Sequence, residues 1–244
     1  GQRTAELHLA LGAGQEPDAV PEPFTSHYQR GLFQSMRNVT TRSLRRLRSR
    51  LGALAPELQP LARQVADLER AFLERFRSVL QGRIDARRIR IHGDCHLSQV
   101  LWTGKDFIFF DLEGEARLPL SERRIKRSPL RDAAALVRAF HYAAHAGWRR
   151  HVEQGCIPED KFALCEPWIR YWNVWVGVAY LKAYVHRLEG SGLIPTAEQD
   201  LHDLMQIYLL HRVMTELGDD ELAASPNLRI PLRAAVYLAG ESPL

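Results

Sequence analysis

Apolar residues recur at helical intervals along most of this chain. Leu7 and Leu11 stand one turn apart with Ala10 beside them, which predicts a short helix from Arg3 to Leu11. Gly12 to Phe24 carries Pro17, Pro21 and Pro23 and reads as a loop. From Thr41 onward, Leu44, Leu47, Leu51, Leu54 and Leu58 fall at alternating three- and four-residue steps. After Pro60 the stripe resumes as Leu61, Val65, Leu68, Phe72, Phe76 and Val79, so two amphipathic helices are expected there. Ser128-Pro129 reads as an N-cap and first helical position, ahead of a stripe at Leu136, Val137, Phe140 and Ala144. The chain beyond His151 reads as helical again, with one helix from Trp168 to Leu188 and another from Thr196 to Leu217. Pro226 and Pro231 are expected to end the regular structure.

The period changes only in the middle. Arg88 to His92, Val100 to Trp102 and Phe107 to Leu112 are short and β-prone, and Thr103-Gly104-Lys105-Asp106 between the last two is turn chemistry. A β-hairpin is therefore expected within a mostly helical α+β body. Three stretches follow along the chain: a helical segment over 1–85, a loop, hairpin and helix over 86–150, and a helical subdomain over 151–244.

The polar residues concentrate on that β-element. Ile91-His92-Gly93-Asp94-Cys95-His96-Leu97-Ser98-Gln99 precedes the hairpin, and Asp111-Leu112-Glu113-Gly114-Glu115 follows it. Phosphoryl transfer asks a protein for a group near the acceptor hydroxyl and for carboxylates that hold Mg²⁺ against the phosphates. In the kinase pattern a base Asp lies two residues after a His, an amide lies five further on, and a metal-binding Asp follows a hairpin. Asp94, Gln99 and Asp111 occupy those positions. The amide oxygen of Gln99 can ligate a hard cation. Glu113 lies two residues past Asp111, so in an extended segment both carboxylates project to one side. A second arrangement is open: His92, Asp94 and His96 alternate, and on a strand all three could ligate Zn²⁺ or Fe in a hydrolase-type site. That arrangement leaves Gln99, Asp111, Glu113 and Glu115 without work.

Composition adds limits. With 244 residues, 45% hydrophobic and 25% charged, the chain is ordinary globular material. A net charge of +4 is mild, and the arginines at 42, 45, 46, 48 and 50 have no interleaved aromatics, so they read as a solvated helix face and not a nucleic-acid surface. No apolar run approaches the roughly 18 residues of a membrane span. Cys95, Cys156 and Cys165 lack metal-type spacing and read as free thiols in a reducing, cytoplasmic setting. The chain opens on Gly1-Gln2-Arg3 rather than Met, as expected for a piece of a longer protein.

The string Arg90-Ile91-His92-Gly93-Asp94-x-His96-Leu97-x-Gln99-Val100-Leu101 resembles the catalytic loop of bacterial maltokinases, in the aminoglycoside-phosphotransferase-like branch of the protein-kinase-like fold. The resemblance continues through Asp111-x-Glu113-Gly114-Glu115, Pro119-Leu120-x-Glu122-Arg123-Arg124 and Ser128-Pro129-Leu130-Arg131-Asp132. It reaches Arg229-Ile230-Pro231-Leu232-Arg233 and, at the start, Arg3-Thr4-Ala5-Glu6-Leu7-His8. Leu112 stands where that family has an aromatic, and most related phosphotransferases carry Asn at the position of Gln99.

The resemblance implies the C-terminal catalytic lobe of such a kinase, with ATP and Mg²⁺ as cofactors and maltose as the acceptor that becomes maltose 1-phosphate. It further implies a link to α-glucan metabolism and a fused or associated trehalose synthase. Carried over by position, Asp94 is the base, Gln99 and Asp111 bind Mg²⁺, Glu113 is a further metal contact, and His92 props the loop. A Gly-rich phosphate loop and its strand lysine are not found in these residues, so the N-terminal lobe is expected elsewhere and these residues alone are expected to be inactive. Glucose and glucosamine are alternative acceptors, and a non-catalytic interaction module is an alternative of another class. Asp132 is expected to accept backbone N–H bonds from the catalytic loop or, equally, to be an ordinary first-turn carboxylate favoured by the helix dipole. His96, Glu115 and the aromatic residues Trp172, Trp175, Tyr180 and Tyr184 are candidate sugar contacts, since sugars stack on aromatic faces. Aromatics at helical spacing also fit a core.

Overall fold

Helices extend well past the apolar stripes that announce them. The computed structural model describes residues 1–16 and 19–240, with the side chains of Glu159 and Pro226 also left aside. Pro17, one of the loop prolines, lies outside the described residues. The chain forms two compact units, one from residues 1–22 and 86–196 and one from residues 23–85 and 197–244. The fold is α+β and predominantly helical. No helix among the described residues is long and apolar enough to cross a membrane.

In the first unit, α1 (Gln2–Gly12) packs against α7 (Phe162–Leu188), and α6 (Leu130–Glu153) packs against the same helix. The buried face of α1 is Thr4, Ala5 and His8, not the Leu7 and Leu11 stripe, because its neighbours offer polar partners to His8. The Ser128 hydroxyl accepts from Leu130 N at 3.3 Å, but Pro129 and not Ser128 takes the N-cap position of α6, one residue later than expected. α7 starts six residues before the expected Trp168 and carries Pro167 within it.

The β content is small. β1 (Glu22–Pro23) and β2 (Arg87–Arg88) are two residues each. Ile89 and Arg127 exchange backbone bonds of 3.0 and 2.8 Å, after which the expected strand gives way to the loop at His92. β3 (Val100–Trp102) and β4 (Phe107–Phe109) form the antiparallel hairpin, with Val100 opposite Phe109 and Trp102 opposite Phe107. Its turn is held by Thr103 N donating to Asp106 O at 2.9 Å. The tip is tied to α1, where Arg3 Nε donates to Asp106 Oδ1 at 2.8 Å. This contact holds the Asp106 carboxyl below the usual carboxylate range. A short helix, α5 (Leu120–Arg123), precedes α6.

The second unit is helical: α2 (Ser26–Arg50), α3 (Gln59–Asp67), α4 (Glu69–Arg77), α8 (Glu198–Leu217), α9 (Asp220–Ala223) and α10 (Arg229–Ala239). α2 begins at a Thr25 cap that accepts from Tyr28 N, fifteen residues before the expected start. Its buried face there is partly polar. Gln29 donates to Val79 O at 2.7 Å and Gly82 O at 3.0 Å, which satisfies an amide that interrupts the apolar stripe. The two long expected helices break at Leu51 and again at Leu68. Pro231 does not end the structure but lies in the first turn of α10, where a helix has no N–H acceptor to lose. Phe72 and Phe76 of α4 are fully buried and contribute about 1.5–3 kcal/mol each by the usual burial scale.

Candidate catalytic site

The hairpin register sets the site. Val100 pairs with Phe109, so the residues just outside the ladder, Gln99 and Phe110-Asp111, face each other at its open end. Phe110 N donates to Gln99 O at 3.3 Å, and Gln99 Nε2 donates to Asp111 Oδ2 at 2.9 Å. Asp111 has a φ of 62°, the only positive value at a non-glycine among the described residues. A left-handed Asp is uncommon and locally costly, and such positions cluster at working sites.

The preceding loop is fixed from three sides. His92 is fully buried, and because Phe110 O can only accept, His92 Nε2 donates to it, at 3.0 Å. Its Nδ1 is buried and has no hydrogen-bond partner. His92 N donates to Asp132 Oδ2 at 2.8 Å and Gly93 N donates to Oδ1 at 3.1 Å. Gly93 has a φ of 82°, and a Cβ there would stand 3.4 Å from Gly114 Cα. The left-handed turn is what favours glycine here, while the Cβ distance itself is close to ordinary contact with the segment that follows the hairpin. Asp94 comes next, with its side chain about 30% exposed and so open to a substrate. His96 Nε2 lies 3.6 Å from Asp94 Oδ2, and His96 Nδ1 lies 2.7 Å from Ser98 Oγ.

Other candidates are placed apart. The segment from Asp111 to Glu115 is not extended: Leu112 and Glu113 form a turn. Left-handed Asp111 starts that turn, so the alternation that would align Asp111 with Glu113 does not apply. Glu113 instead faces Arg123, whose Nη1 lies 3.9 Å from Glu113 Oε2 and 3.4 Å from Glu113 O. Glu115 is half-buried and opens the next turn, where Leu118 N donates to Glu115 O at 2.9 Å. His92, Asp94 and His96 do not assemble as a zinc or iron site. His92 is buried and committed to Phe110 O, and no group of three or more His, Cys, Asp or Glu among the described residues could hold a metal ion.

The aromatic set on α7 divides. Trp172 and Trp175 are exposed, whereas Tyr180 and Tyr184 are buried and stack on each other at 6.1 Å. Burial pushes both tyrosine hydroxyls well above their ordinary range, so they stay neutral.

For Mg²⁺ the fitting part is the Gln99–Asp111 pair. The Gln99 amide and the Asp111 carboxylate stand side by side with Nε2 toward Oδ2, so the pair would offer a cation two hard oxygens once the amide turns its oxygen the same way. Two contributors escape the sequence reading. His8, on α1, sends Nε2 to Asp132 Oδ2 at 3.1 Å and Nδ1 to Tyr184 Oη at 2.8 Å. Its signal was a histidine one turn from Thr4 on a face that lacked leucine. Arg123 braces the Glu113-Gly114 turn, and only its place in the resemblance marked it.

No family model matches the sequence. Solved structures do share the fold. A glucosamine kinase in crystal form B superposes with a TM-score of 0.74 over 98% of this chain, at 16% identity. The chain shares its fold with about half of that kinase. Glucosamine kinase in complex with glucosamine, ADP and inorganic phosphate gives 0.70 over 97% at 15% identity, and crystal form A gives 0.68 over 95% at 16%. These matches cover 50%, 52% and 49% of the respective kinase chains, so the chain spans about half the length of the solved structures it matches.

Proposed function

We propose that this chain is the catalytic lobe of a sugar kinase of the maltokinase type, which transfers the γ-phosphoryl group of ATP to maltose. One observation carries the reading: Gln99 and left-handed Asp111 touch at 2.9 Å at the mouth of the hairpin, beside a loop that presents Asp94. Asp94 takes the proton of the sugar hydroxyl as its oxygen bonds to the γ-phosphorus and the bond to ADP breaks. His92 and Asp132 hold the loop so that Asp94 is delivered without reorganisation. Gln99 and Asp111 would hold Mg²⁺, with Glu113 as a further contact once freed from Arg123. The ion supplies neutralisation of phosphate charge. His96 and Glu115, near the loop and turn, and exposed Trp172 and Trp175 are proposed sugar contacts. Tyr180 and Tyr184 lie behind them as support.

The phosphate-clamping half of the nucleotide site is proposed to lie outside these 244 residues, which is in keeping with a chain half as long as its matches. Glucosamine is the second acceptor to weigh, because the matching structures are glucosamine kinases. The test is a product assay of the complete protein with Mg-ATP and a panel of maltose, glucose and glucosamine. Maltose 1-phosphate as the preferred product is expected, and glucosamine phosphate would replace maltose in the reading. Asp94→Asn should lower kcat by roughly 10²–10⁴-fold, the range for a lost general base. A near-normal rate in that variant removes Asp94 from its role.

A further inference from the structure

We propose that His8 is a positioning residue of the transfer reaction: from the buried face of α1 it orients Asp132, and through Asp132 the loop that carries Asp94. The proposal rests on the kinase reading for its effect on turnover, though its structural arm stands alone. His8 and Asp132 are both almost fully buried, at 0% and 2% exposure. Asp132 accepts from His92 N and Gly93 N, and an ionised carboxylate has no proton to offer. His8 Nε2, 3.1 Å from Oδ2, is therefore the donor of that bond. Tyr184 Oη, 2.8 Å from Nδ1, is the partner of the other ring nitrogen. The relay is continuous: Tyr184 bonds to His8, His8 donates to Asp132, and Asp132 receives the two loop amides. The rings of His8 and Tyr184 meet edge-on at 88°, which holds the imidazole plane against rotation.

A merely structural histidine would satisfy itself locally. This one shares a carboxylate oxygen with a loop amide, so it fixes which way Asp132 points. Asp132 sits on α6, Tyr184 on α7 and His8 on α1, so three helices converge on two consecutive loop N–H groups. The loop cannot shift without breaking a charge-assisted bond in a site closed to water. Sequence alone could not separate His8 from an ordinary core histidine, because both partners lie more than a hundred residues away.

The test compares His8→Leu, His8→Gln and Tyr184→Phe in the complete protein. The Gln amide nitrogen can stand where Nε2 stands and donate to Asp132, and Leu cannot. His8→Leu should lower kcat by roughly 10–100-fold, as for other groups that orient a functional residue. KM for ATP and sugar should stay nearly unchanged, and His8→Gln should recover most of the rate. Amide hydrogen exchange at His92 and Gly93 gives the readout that needs no activity: it should quicken by about an order of magnitude in His8→Leu and not in His8→Gln. Tyr184→Phe, which leaves the imidazole in place, should fall between them. Unchanged exchange in His8→Leu, or equal losses in Leu and Gln variants, overturns the positioning role. If His8→Leu does not fold, Tyr184→Phe and His8→Gln decide by the same amides. If the unsubstituted protein transfers no phosphate while exchange responds as stated, the kinase reading fails and the positioning of the loop by His8 stands.

Discussion

Replacing Asp132 with Asn changes almost no volume and isolates what the carboxylate does. Asn brings one acceptor oxygen and one amide group to a place where three donors converge: His92 N, Gly93 N and His8 Nε2. If the amide takes the place of Oδ2 it meets two donors, and if it takes the place of Oδ1 it meets one. The second orientation is cheaper. Gly93 N–H then loses its buried partner, which costs about 1–3 kcal/mol, and the two surviving bonds lose their charge assistance, about 1 kcal/mol each. The sum is about 3–5 kcal/mol, a large part of the 5–15 kcal/mol that is typical for a folded domain. At roughly 2–4 °C per kcal/mol for a chain of this size, Tm should fall by about 6–20 °C. Thermal unfolding followed by circular dichroism measures that shift, and exchange at the His92 and Gly93 amides shows which bond was lost. A cost below about 1 kcal/mol, with both amides still protected, would refute the claim that Asp132 anchors the loop.

Other expectations follow from the same geometry. Gly93→Ala puts a Cβ on a left-handed residue 3.4 Å from Gly114 Cα, and urea unfolding should show a loss of at least about 1–2 kcal/mol. Asp111→Gly removes a carboxylate and relieves an unfavourable φ of 62°, so the variant should gain up to about 1 kcal/mol of stability while Mg²⁺ binding by calorimetry disappears. Retained Mg²⁺ binding would remove Asp111 from the metal site. Burial, then the charges of Arg138 and His145, holds the His141 imidazole well below its ordinary range. The unfolded chain takes up a proton near pH 6.5 that folded His141 refuses, so this contribution is complete above that pH and is lost as the pH falls below it. Denaturation between pH 7 and 5 should show a slope approaching 1.4 kcal/mol per pH unit at most, and His141→Gln should flatten it.

What the sequence disclosed and what it hid divide along one physical line. The hairpin was legible because its turn residues and the aromatic strand are local, and the structure pairs Val100 with Phe109 around that turn. The helical body was legible wherever leucine marked the buried face. It was hidden where the buried face is polar: the first half of α2 is held by Gln29 bonding to carbonyls fifty residues away, and α1 by His8 bonding across the unit. Pro231 misled for a related reason, since its meaning depends on whether it opens a helix or interrupts one.

The same line runs through the site. Asp94, Gln99 and Asp111 could be singled out as candidates because their spacing is short and together their types suit phosphoryl transfer. Spacing could not show that Asp111 adopts a left-handed backbone, and that one torsion ends the extended run and sends Glu113 to Arg123. A motif thus names the groups that a reaction needs, while a turn angle decides which of them meet. The loop's precision has a different origin again. Asp94 is partly exposed and has few partners of its own, so its placement comes from neighbours: His92 against Phe110 O, Gly93 against Gly114, and both loop amides against Asp132. Substitutions in that buried set should therefore alter turnover without touching a reacting atom, and the rank order of their effects should follow the bonds lost to the loop rather than distance from Asp94.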